Sequence, residues 1–357
     1  MMNLKIKTVS GLFSAVAILV GFLAIGYPVS ALGQTAQPPY ALSVFAKSVT
    51  GPNGYTQPDS IVQWRDSIFV GFQDHVAKDG TDGKSSTIVQ YSLDGKVLRT
   101  FTVPGHNDGL RVVDEDNLWS LQNEDANPNL VVIDLESGQQ KLYTFPTTPH
   151  SGGYDDMVVR NGEVFITASN PSLNGAGVNI FPALVRARLH GDMVEVEPVL
   201  GSNDNAVNLA TGQTVALNLT DPDSMTIDPR GNIVLDDQQD AVLVFIAHPG
   251  TATQQVGIIN ITSGGSALTL DDTVFVPNRS TFLLFSDVAG DTIYRLDRPV
   301  FGFEAGTPYS ASDTAGIVGV LDVDNGVVTP IATGFGSTRG MAFVVQDKDK
   351  RDRDEQR

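Results

Sequence analysis

The 357-residue sequence contains no cysteine. The protein therefore has no disulfide bonds, no thiolate zinc site, no cysteine nucleophile and no lipid-modified cysteine. Three short catalytic motifs are missing as well: the sequence has no Gly-x-Ser-x-Gly elbow, no Walker loop and no His-Glu-x-x-His pair. Any chemistry must come from residues spread along the chain.

Basic residues are scarce. There are 23 Lys and Arg against 41 Asp and Glu, which gives a net charge of −18. A surface of this sign repels phosphate backbones and anionic lipid, so nucleic acid is excluded as an expected partner. The 41% of hydrophobic residues is typical of a globular protein rather than a disordered one.

The two ends of the chain differ from the rest in composition. Lys5 and Lys7 precede a mostly apolar stretch from 11 to 29, and small residues follow it. This pattern predicts a secretory signal over 1–33, cleaved between residues 31 and 36, and an exported protein, periplasmic or extracellular, with no membrane contact afterwards. The competing interpretation is an uncleaved anchor, because the apolar run is nearly long enough to span a bilayer. Residues 347–357 carry acids and bases and nothing apolar, which predicts a disordered tail and a single folded domain over 40–346.

A repeat runs through that domain. Six lead-in segments share a short polar start followed by an apolar strand. They are PDSIVQ (58–63), NDGLRV (107–112), YDDMVV (154–159), PDSMTI (222–227), LDDTVF (270–275) and TRGMAF (338–343). Their second positions lie 49, 47, 68, 48 and 68 residues apart, so the unit is about 48 residues with two insertions of about 20.

The sequence pattern of each unit predicts only strands and turns. Apolar alternation and β-branched residues between Gly-containing turns predict four short antiparallel strands per unit. Small sheets repeated at this spacing predict an all-β fold, a β-propeller, with six blades favoured and five as the alternative. For the sixth blade we expect strands from 41–48 and 341–345, together with part of the long fifth unit, so that the two chain ends close the ring.

The repeat also places charged residues. In a propeller the lead-in segments of all units meet at one end of the central channel. The second positions should therefore converge there; they are Asp59, Asp108, Asp155, Asp223, Asp271 and Arg339. Calcium suits such a ring of oxygen ligands. Two alternatives stay open at this point: each Asp caps a turn of its own backbone, or the ring binds another ligand.

Four of these motifs, in this order, resemble a known family. DPDSMTIDPRGNIVLDDQQDAVLVF (221–245) and HNDGLRVVDEDNLWSL (106–121) are similar to segments of the senescence-marker-protein/gluconolactonase family of six-bladed propellers. PDSIVQWRDSIFVGF (58–72) and YDDMVVRNGEVFIT (154–167) fall where that family has two further segments, and 286–297 is more similar to NHL-type repeats.

The resemblance implies hydrolysis of a sugar lactone with the help of a divalent cation, calcium or zinc, and the carboxylate ligands of this sequence favour calcium. It implies metal ligands at Asp59, Asp155 and Asp223, with Asp223 also as the catalytic acid or base. Asn107 and Asp108 would face the substrate. The sequence departs from the family's pattern, because Asp59 stands in place of a Glu and Asp155 in place of an Asn.

Other residues have simpler expected roles. Arg339 binds a ligand carboxylate or offsets the charge of the Asp ring. The five histidines, His106 and His150 among them, show no metal-ligand spacing and are expected in exposed loops. Asp236, Asp237 and Asp287 are expected to cap turns.

A non-catalytic propeller is the alternative function. It would bind a carbohydrate, peptide or protein partner at the rim, using the long segments 170–181 and 201–220. In either case we expect a monomer with a small-molecule or carbohydrate ligand at the channel mouth.

Overall fold

The computed structural model describes residues 33–346. The predicted signal segment, except for Gly33, and the predicted charged tail lie outside these residues. Between 33 and 346 the chain forms 29 strands and no helix. Accordingly, nothing helical in this range is long and apolar enough to cross a membrane.

The chain begins with two edge strands and then builds two blades of four antiparallel strands. The edge strands are β1 (Thr35–Ala36) and β2 (Ala41–Lys47). Blade 1 consists of β3 (Pro58–Trp64), β4 (Ser67–Phe72), β5 (Ser85–Ser92) and β6 (Val97–Pro104). Blade 2 consists of β7 (Asn107–Val112), β8 (Asn117–Gln122), β9 (Asn129–Asp134) and β10 (Gln140–Thr144).

Blades 3 and 4 follow, with a small hairpin between them. Blade 3 consists of β11 (Tyr154–Arg160), β12 (Glu163–Ala168), β13 (Pro182–His190) and β14 (Met193–Gly201). The hairpin of β15 (Asn205–Asn208) and β16 (Thr214–Ala216) lies on the outer edge of blade 4. Blade 4 consists of β17 (Pro222–Ile227), β18 (Ile233–Asp237), β19 (Val242–Ala247) and β20 (Gln255–Asn260).

The last third of the chain builds blades 5 and 6 together. A second hairpin comes first: β21 (Thr262–Ser263) and β22 (Ser266–Ala267). The remaining strands, in chain order, are β23 (Asp272–Phe275), β24 (Ser280–Asp287), β25 (Thr292–Asp297), β26 (Pro308–Ser312), β27 (Ile317–Asp322), β28 (Val327–Thr333) and β29 (Thr338–Val345). Blade 5 has the order β23-β26-β27-β28, and blade 6 the order β29-β24-β25-β2.

The blades form a closed β-propeller, as the sequence predicts. The innermost strands β3, β7, β11, β17, β23 and β29 pack against one another in this order, and β29 returns to β3. The buried apolar residues fall into six clusters, and each cluster fills one interface between neighbouring blades. Six interfaces in a closed ring mean six blades, so the five-bladed alternative is wrong.

The ring closes through both chain ends and part of the long fifth unit, as expected. β24 and β25 follow the inner strand of blade 5 in sequence, yet they pair with β29 and β2 in blade 6. The chain then returns to complete blade 5. The second long interval of the repeat is therefore not an insertion, because it holds two strands that belong to the next blade. At the other end, β1 pairs with β28, so the ordered region starts before residue 40.

Five of the six inner strands are bulged at the lead-in segment. The strand register shifts after Pro58, Asn107, Tyr154 and Pro222 in blades 1 to 4, and at Gly340 in blade 6. A bulge inserts one extra residue and changes the direction in which a side chain points. Here it lies at the recurring acidic position, and those side chains line the channel.

Candidate active site at the channel mouth

The structure brings the five recurring Asp residues and Arg339 together around one cavity. The cavity has a volume of about 60 Å³, which is enough for a few water molecules or an ion. Eight carboxyl groups line it: Asp59, Asp108, Glu124, Asp155, Asp156, Asp223, Asp271 and Asp272. Only three basic side chains do, Lys78, Arg111 and Arg339. Negative charge therefore exceeds positive charge in a buried space.

Arg339 joins the acids of two blades. Its guanidinium nitrogens lie 3.5 Å from a carboxylate oxygen of Asp59 and 3.5 Å from one of Asp271. Gln73 and Gln238 donate side-chain hydrogen bonds to the same two carboxylates. Burial raises the pKa of Asp59 and that of Asp271, and the charge of Arg339 opposes both shifts. Of the two predicted roles of Arg339, this placement favours charge compensation.

Three more acids exchange hydrogen bonds on the other side of the cavity. Asp155 shares one with Asp223 and one with Glu124. Burial, with the neighbouring carboxylates, raises the pKa of Asp155 and of Asp223 well above the ordinary value for Asp. These raised pKa values favour the protonated forms of Asp155 and Asp223. Asp223 is partly exposed, whereas Asp155 is buried, so Asp223 is the member of the pair that solvent reaches.

Two charged residues at the mouth were not predicted. Glu124 lies two residues after β8, and Lys78 lies in the loop between β4 and β5 and forms an ion pair with Glu124. Burial alone would raise the pKa of Glu124, but the Lys78 ammonium and hydrogen bonds with Asp155 and Asp108 hold it at about 2. One sequence feature could have indicated Glu124: a polar residue follows the second strand in units 1, 2 and 4. These residues are Gln73, Glu124 and Gln238.

His106 is buried beside this ion pair, which corrects its expected place in an exposed loop. Only 3% of its surface is exposed. Its Nε2 lies 3.8 Å from Oε1 of Glu124. One ligand atom each from His106, Asp108 and Glu124 fall within 4.8 Å of one another, and no other such group of three occurs between residues 33 and 346.

The triad Asp59, Asp155 and Asp223 does not come within the same ligand spacing. Asp59 lies with Arg339 and Gln73, while Asp155 and Asp223 pair with each other. As placed, these three side chains do not fit a single cation.

The turn-capping alternative has no support for the recurring Asp residues. Within residues 33–346, no backbone N–H donates to the carboxylates of Asp59, Asp108, Asp155, Asp223 or Asp271. By contrast, the acids that follow two of them link neighbouring blades. Asp156 accepts the N–H of Met225 at 2.9 Å, and Asp272 accepts that of Met341 at 2.5 Å.

Asn107 lies outside the cavity lining. Its side chain is fully buried and donates to the hydroxyl of Ser120 at 2.6 Å. The predicted contact of Asn107 with a substrate therefore has no support in this arrangement, whereas Asp108 and Arg339 line the cavity.

The remaining acids divide into two kinds. Asp237 and Asp287 accept backbone N–H groups, as predicted for turn caps. Asp236 does not: one of its oxygens accepts the Thr273 hydroxyl at 3.1 Å, and the other has no hydrogen-bond partner in the described part of the chain. His150 is also buried, and its Nε2 lies 2.8 Å from the Gly153 carbonyl oxygen.

Comparison with known proteins yields only distant matches. No model of a protein family and no curated protein matches the chain. Among solved structures, virginiamycin B lyase from Staphylococcus aureus is 12% identical with a TM-score of 0.46, covering 81% of this chain and 87% of that one. The periplasmic gluconolactonase of Pseudomonas aeruginosa is 15% identical with a TM-score of 0.42, covering 84% of this chain and 92% of that one. The fold stands on the strand pairing above, and these similarities assign no activity.

Proposed function

We propose that this chain is a cation-dependent hydrolase of small neutral esters of the lactone type, with its reaction site at the channel mouth. One observation carries the proposal: eight carboxyl groups and three basic side chains surround a single small cavity, and two of the acids, Asp155 and Asp223, share a hydrogen bond. Such a pair can share a proton and transfer it.

Asp223 is the proposed proton donor and acceptor. Its raised pKa favours the protonated form, which can give a proton to the leaving oxygen of an ester as a water molecule attacks the carbonyl carbon. Asp155 accepts a hydrogen bond from protonated Asp223 and keeps that side chain in place. A bound divalent cation would supply polarisation of the ester carbonyl.

The charge around the mouth restricts the substrate. An anionic substrate would be repelled by the carboxylates, so a neutral lactone fits better than a sugar acid or a phosphate ester. The cavity is far smaller than the ~300 Å³ of a typical small-molecule site. Only the reacting group of the substrate would enter it, and the rest would lie outside.

We also propose that the protein is exported, because of its signal-like amino terminus, and that it is a monomer, because of its high net charge. Fractionation of the producing cells and light scattering of the purified protein test them.

Hydrolysis is tested with neutral five- and six-membered lactones, before and after chelation and with calcium or zinc restored. We expect chelation to abolish turnover and Asp223→Asn to lower kcat by roughly 10²- to 10⁴-fold. Asp192→Asn, which changes an acid with 85% of its side chain exposed, is the control. Turnover that survives both chelation and Asp223→Asn would contradict the proposal.

A second candidate is a propeller that binds a partner without turnover. It is favoured by the small cavity and by the loops 170–181 and 201–220, which are fastened together. Asn179 of the first loop donates to the Ser202 hydroxyl at 2.7 Å and to the Leu219 carbonyl at 2.8 Å. Binding of a carbohydrate or peptide that is lost when these loops are shortened, with no lactone turnover, would support this function instead.

A further inference from the structure

The orientation of His106 is fixed by a backbone carbonyl. Its Nδ1 lies 2.8 Å from the carbonyl oxygen of Val76, and a carbonyl only accepts hydrogen bonds, so Nδ1 carries the hydrogen. In the neutral ring, Nε2 then presents a lone pair. Nε2 is fully enclosed and has no hydrogen-bond partner among the described residues.

That lone pair faces carboxylate oxygens. Glu124 Oε1 is 3.8 Å away. One carboxylate oxygen of Asp108 lies within 4.8 Å of a ring nitrogen of His106, and Asp108 Oδ2 receives no hydrogen bond in the described structure. A buried imidazole lone pair and two buried carboxylates repel one another unless positive charge lies between them. The arrangement is therefore incomplete without a cation or protons.

Lys78 meets this need only in part. Its ammonium pairs with Glu124, but neither His106 Nε2 nor Asp108 Oδ2 gains a hydrogen bond from it. Nearly half of the Lys78 side chain is exposed, 47%, whereas that of Glu124 is 8% exposed. The backbone carbonyl oxygen of Lys78 accepts the N–H of Asp125 at 3.2 Å. The Lys78 side chain can therefore move away from Glu124 while its loop stays in place.

We propose that His106, Asp108 and Glu124 form a binding site for a first-row divalent cation, with zinc the best suited, and that the Lys78 ammonium competes with the cation for Glu124. This inference deepens the proposed hydrolase, because it locates the cation and names its class. One imidazole and two carboxylates are a ligand set that zinc accepts, whereas calcium prefers oxygen ligands alone. A ring nitrogen that donates to a backbone carbonyl is the usual support of a metal-bound histidine.

The spacing agrees with this assignment. Ligand atoms about 2.0–2.2 Å from a tetrahedral zinc ion are about 3.3–3.6 Å apart. The three atoms here lie within 4.8 Å of one another, so binding requires the side chains to approach each other by up to roughly 1.5 Å. The site differs from the Asp59, Asp155 and Asp223 set implied by the sequence resemblance, and it uses a histidine that the resemblance does not include.

The test is calorimetric titration of the full exported chain, freed of metal by chelation, with zinc and separately with calcium. We expect one zinc per chain, bound more tightly than calcium. His106→Gln should weaken zinc binding at least 30-fold. His150→Gln, which changes a second buried histidine hydrogen-bonded to a carbonyl, should change it less than 2-fold. Lys78→Met should strengthen it about 10-fold or more, because the competing ammonium is gone.

Two results would overturn the site: zinc affinity unchanged in His106→Gln, or zinc affinity unchanged or lowered in Lys78→Met. If His106→Gln fails to fold, visible absorption of bound cobalt in the wild type and in Glu124→Gln replaces it. A band that persists in Glu124→Gln overturns the proposal.

Zinc binding and hydrolysis can fail separately. If zinc binds as described but no lactone is hydrolysed, the metal site is supported and the proposed hydrolase activity is contradicted. If lactone turnover requires calcium and is unaffected by His106→Gln, the hydrolase activity is supported and the zinc site is contradicted.

Discussion

Gly340 in the last blade lies against the backbone of Asp59 in the first. A Cβ atom at position 340 would overlap the carbonyl oxygen of Asp59 and approach the Cα of Ser60. The same relationship occurs between Gly109 and Asp155 in blades 2 and 3. A residue without a side chain is therefore required where these inner strands approach each other at the mouth.

Gly340→Ala is expected to separate the first and last blades. The neighbouring atoms are backbone and cannot rotate away, so we expect a loss of stability of about 2–4 kcal/mol. Thermal unfolding measures it. Gly175→Ala, at a loop position where a Cβ meets nothing within 4 Å, is the control. Equal melting temperatures for the two variants would contradict the predicted close packing.

The outer strand of blade 6 should also matter for closure. Phe45 on β2 packs its ring 5.9 Å from that of Tyr91 in blade 1. Phe45→Ala should lower the free energy of unfolding by about 1–3 kcal/mol, less than for a fully buried Phe. Val44→Ala on the same strand, where the side chain is 50% exposed, should cost less than 1 kcal/mol in urea unfolding. A similar loss in both variants would mean that β2 does not fasten blade 6 to blade 1.

Asp272 should make the protein less stable as the pH rises. Burial and the neighbouring Asp156 raise its pKa to about 7. The hydrogen bond from the Met341 N–H and the charge of Arg111 lower the pKa, but by less. The unfolded chain has a pKa near 3.9 for Asp, so the folded state holds this proton more tightly. Its stabilising contribution is complete below pH 4 and is lost as the pH rises through about 7.

Asp272→Asn should remove this loss. The amide oxygen still accepts the Met341 N–H, and no charge forms at high pH. We expect the variant to melt at about the wild-type temperature at pH 4 and several degrees above it at pH 8. A difference in melting temperature that does not change with pH would show that Asp272 is not protonated in the folded protein.

Arg339 should have the opposite dependence on pH. Arg339→Gln leaves Asp59 and Asp271 buried without their shared cation, and the loss at pH 8 should be about 3 kcal/mol or more. At pH 4 both carboxyls, whose pKa values are already raised by burial, are more fully protonated, so the loss should shrink. Unfolding at the two pH values measures the difference. An equal loss at both would mean that Arg339 stabilises by packing alone.

The recurring lead-in segment made the ring and its acidic residues predictable. Each lead-in segment begins the inner strand of one blade, and in blades 1 to 4 the recurring Asp lies at the bulge of that strand. The division of blades 5 and 6 was not predictable, because β24 and β25 have the same local alternation in whichever blade they pair. Pairing is set by contacts far apart in sequence, above all with β2 and β29.

The unpredicted site residues have a related cause. Glu124 and Lys78 lie outside the repeated segment, and they reach the mouth only because loops fold over the channel. His106 is buried for the same reason: the Asn123 side chain accepts its backbone N–H at 2.9 Å, and Val76 lies against its ring. No short sequence pattern records these loop-to-loop contacts.

The mixed origin of blade 6 has a consequence for how the molecule is made. Its four strands come from residues 41–47, 280–287, 292–297 and 338–345, so a chain whose synthesis has not reached β29 can complete neither this sheet nor the two interfaces beside it. Until β29 emerges, apolar faces of blades 1 and 5 stay open to water and to other molecules. We therefore expect the nascent protein to depend on chaperones until β29 has been made, and termination within β29 to yield aggregate rather than a shorter ring.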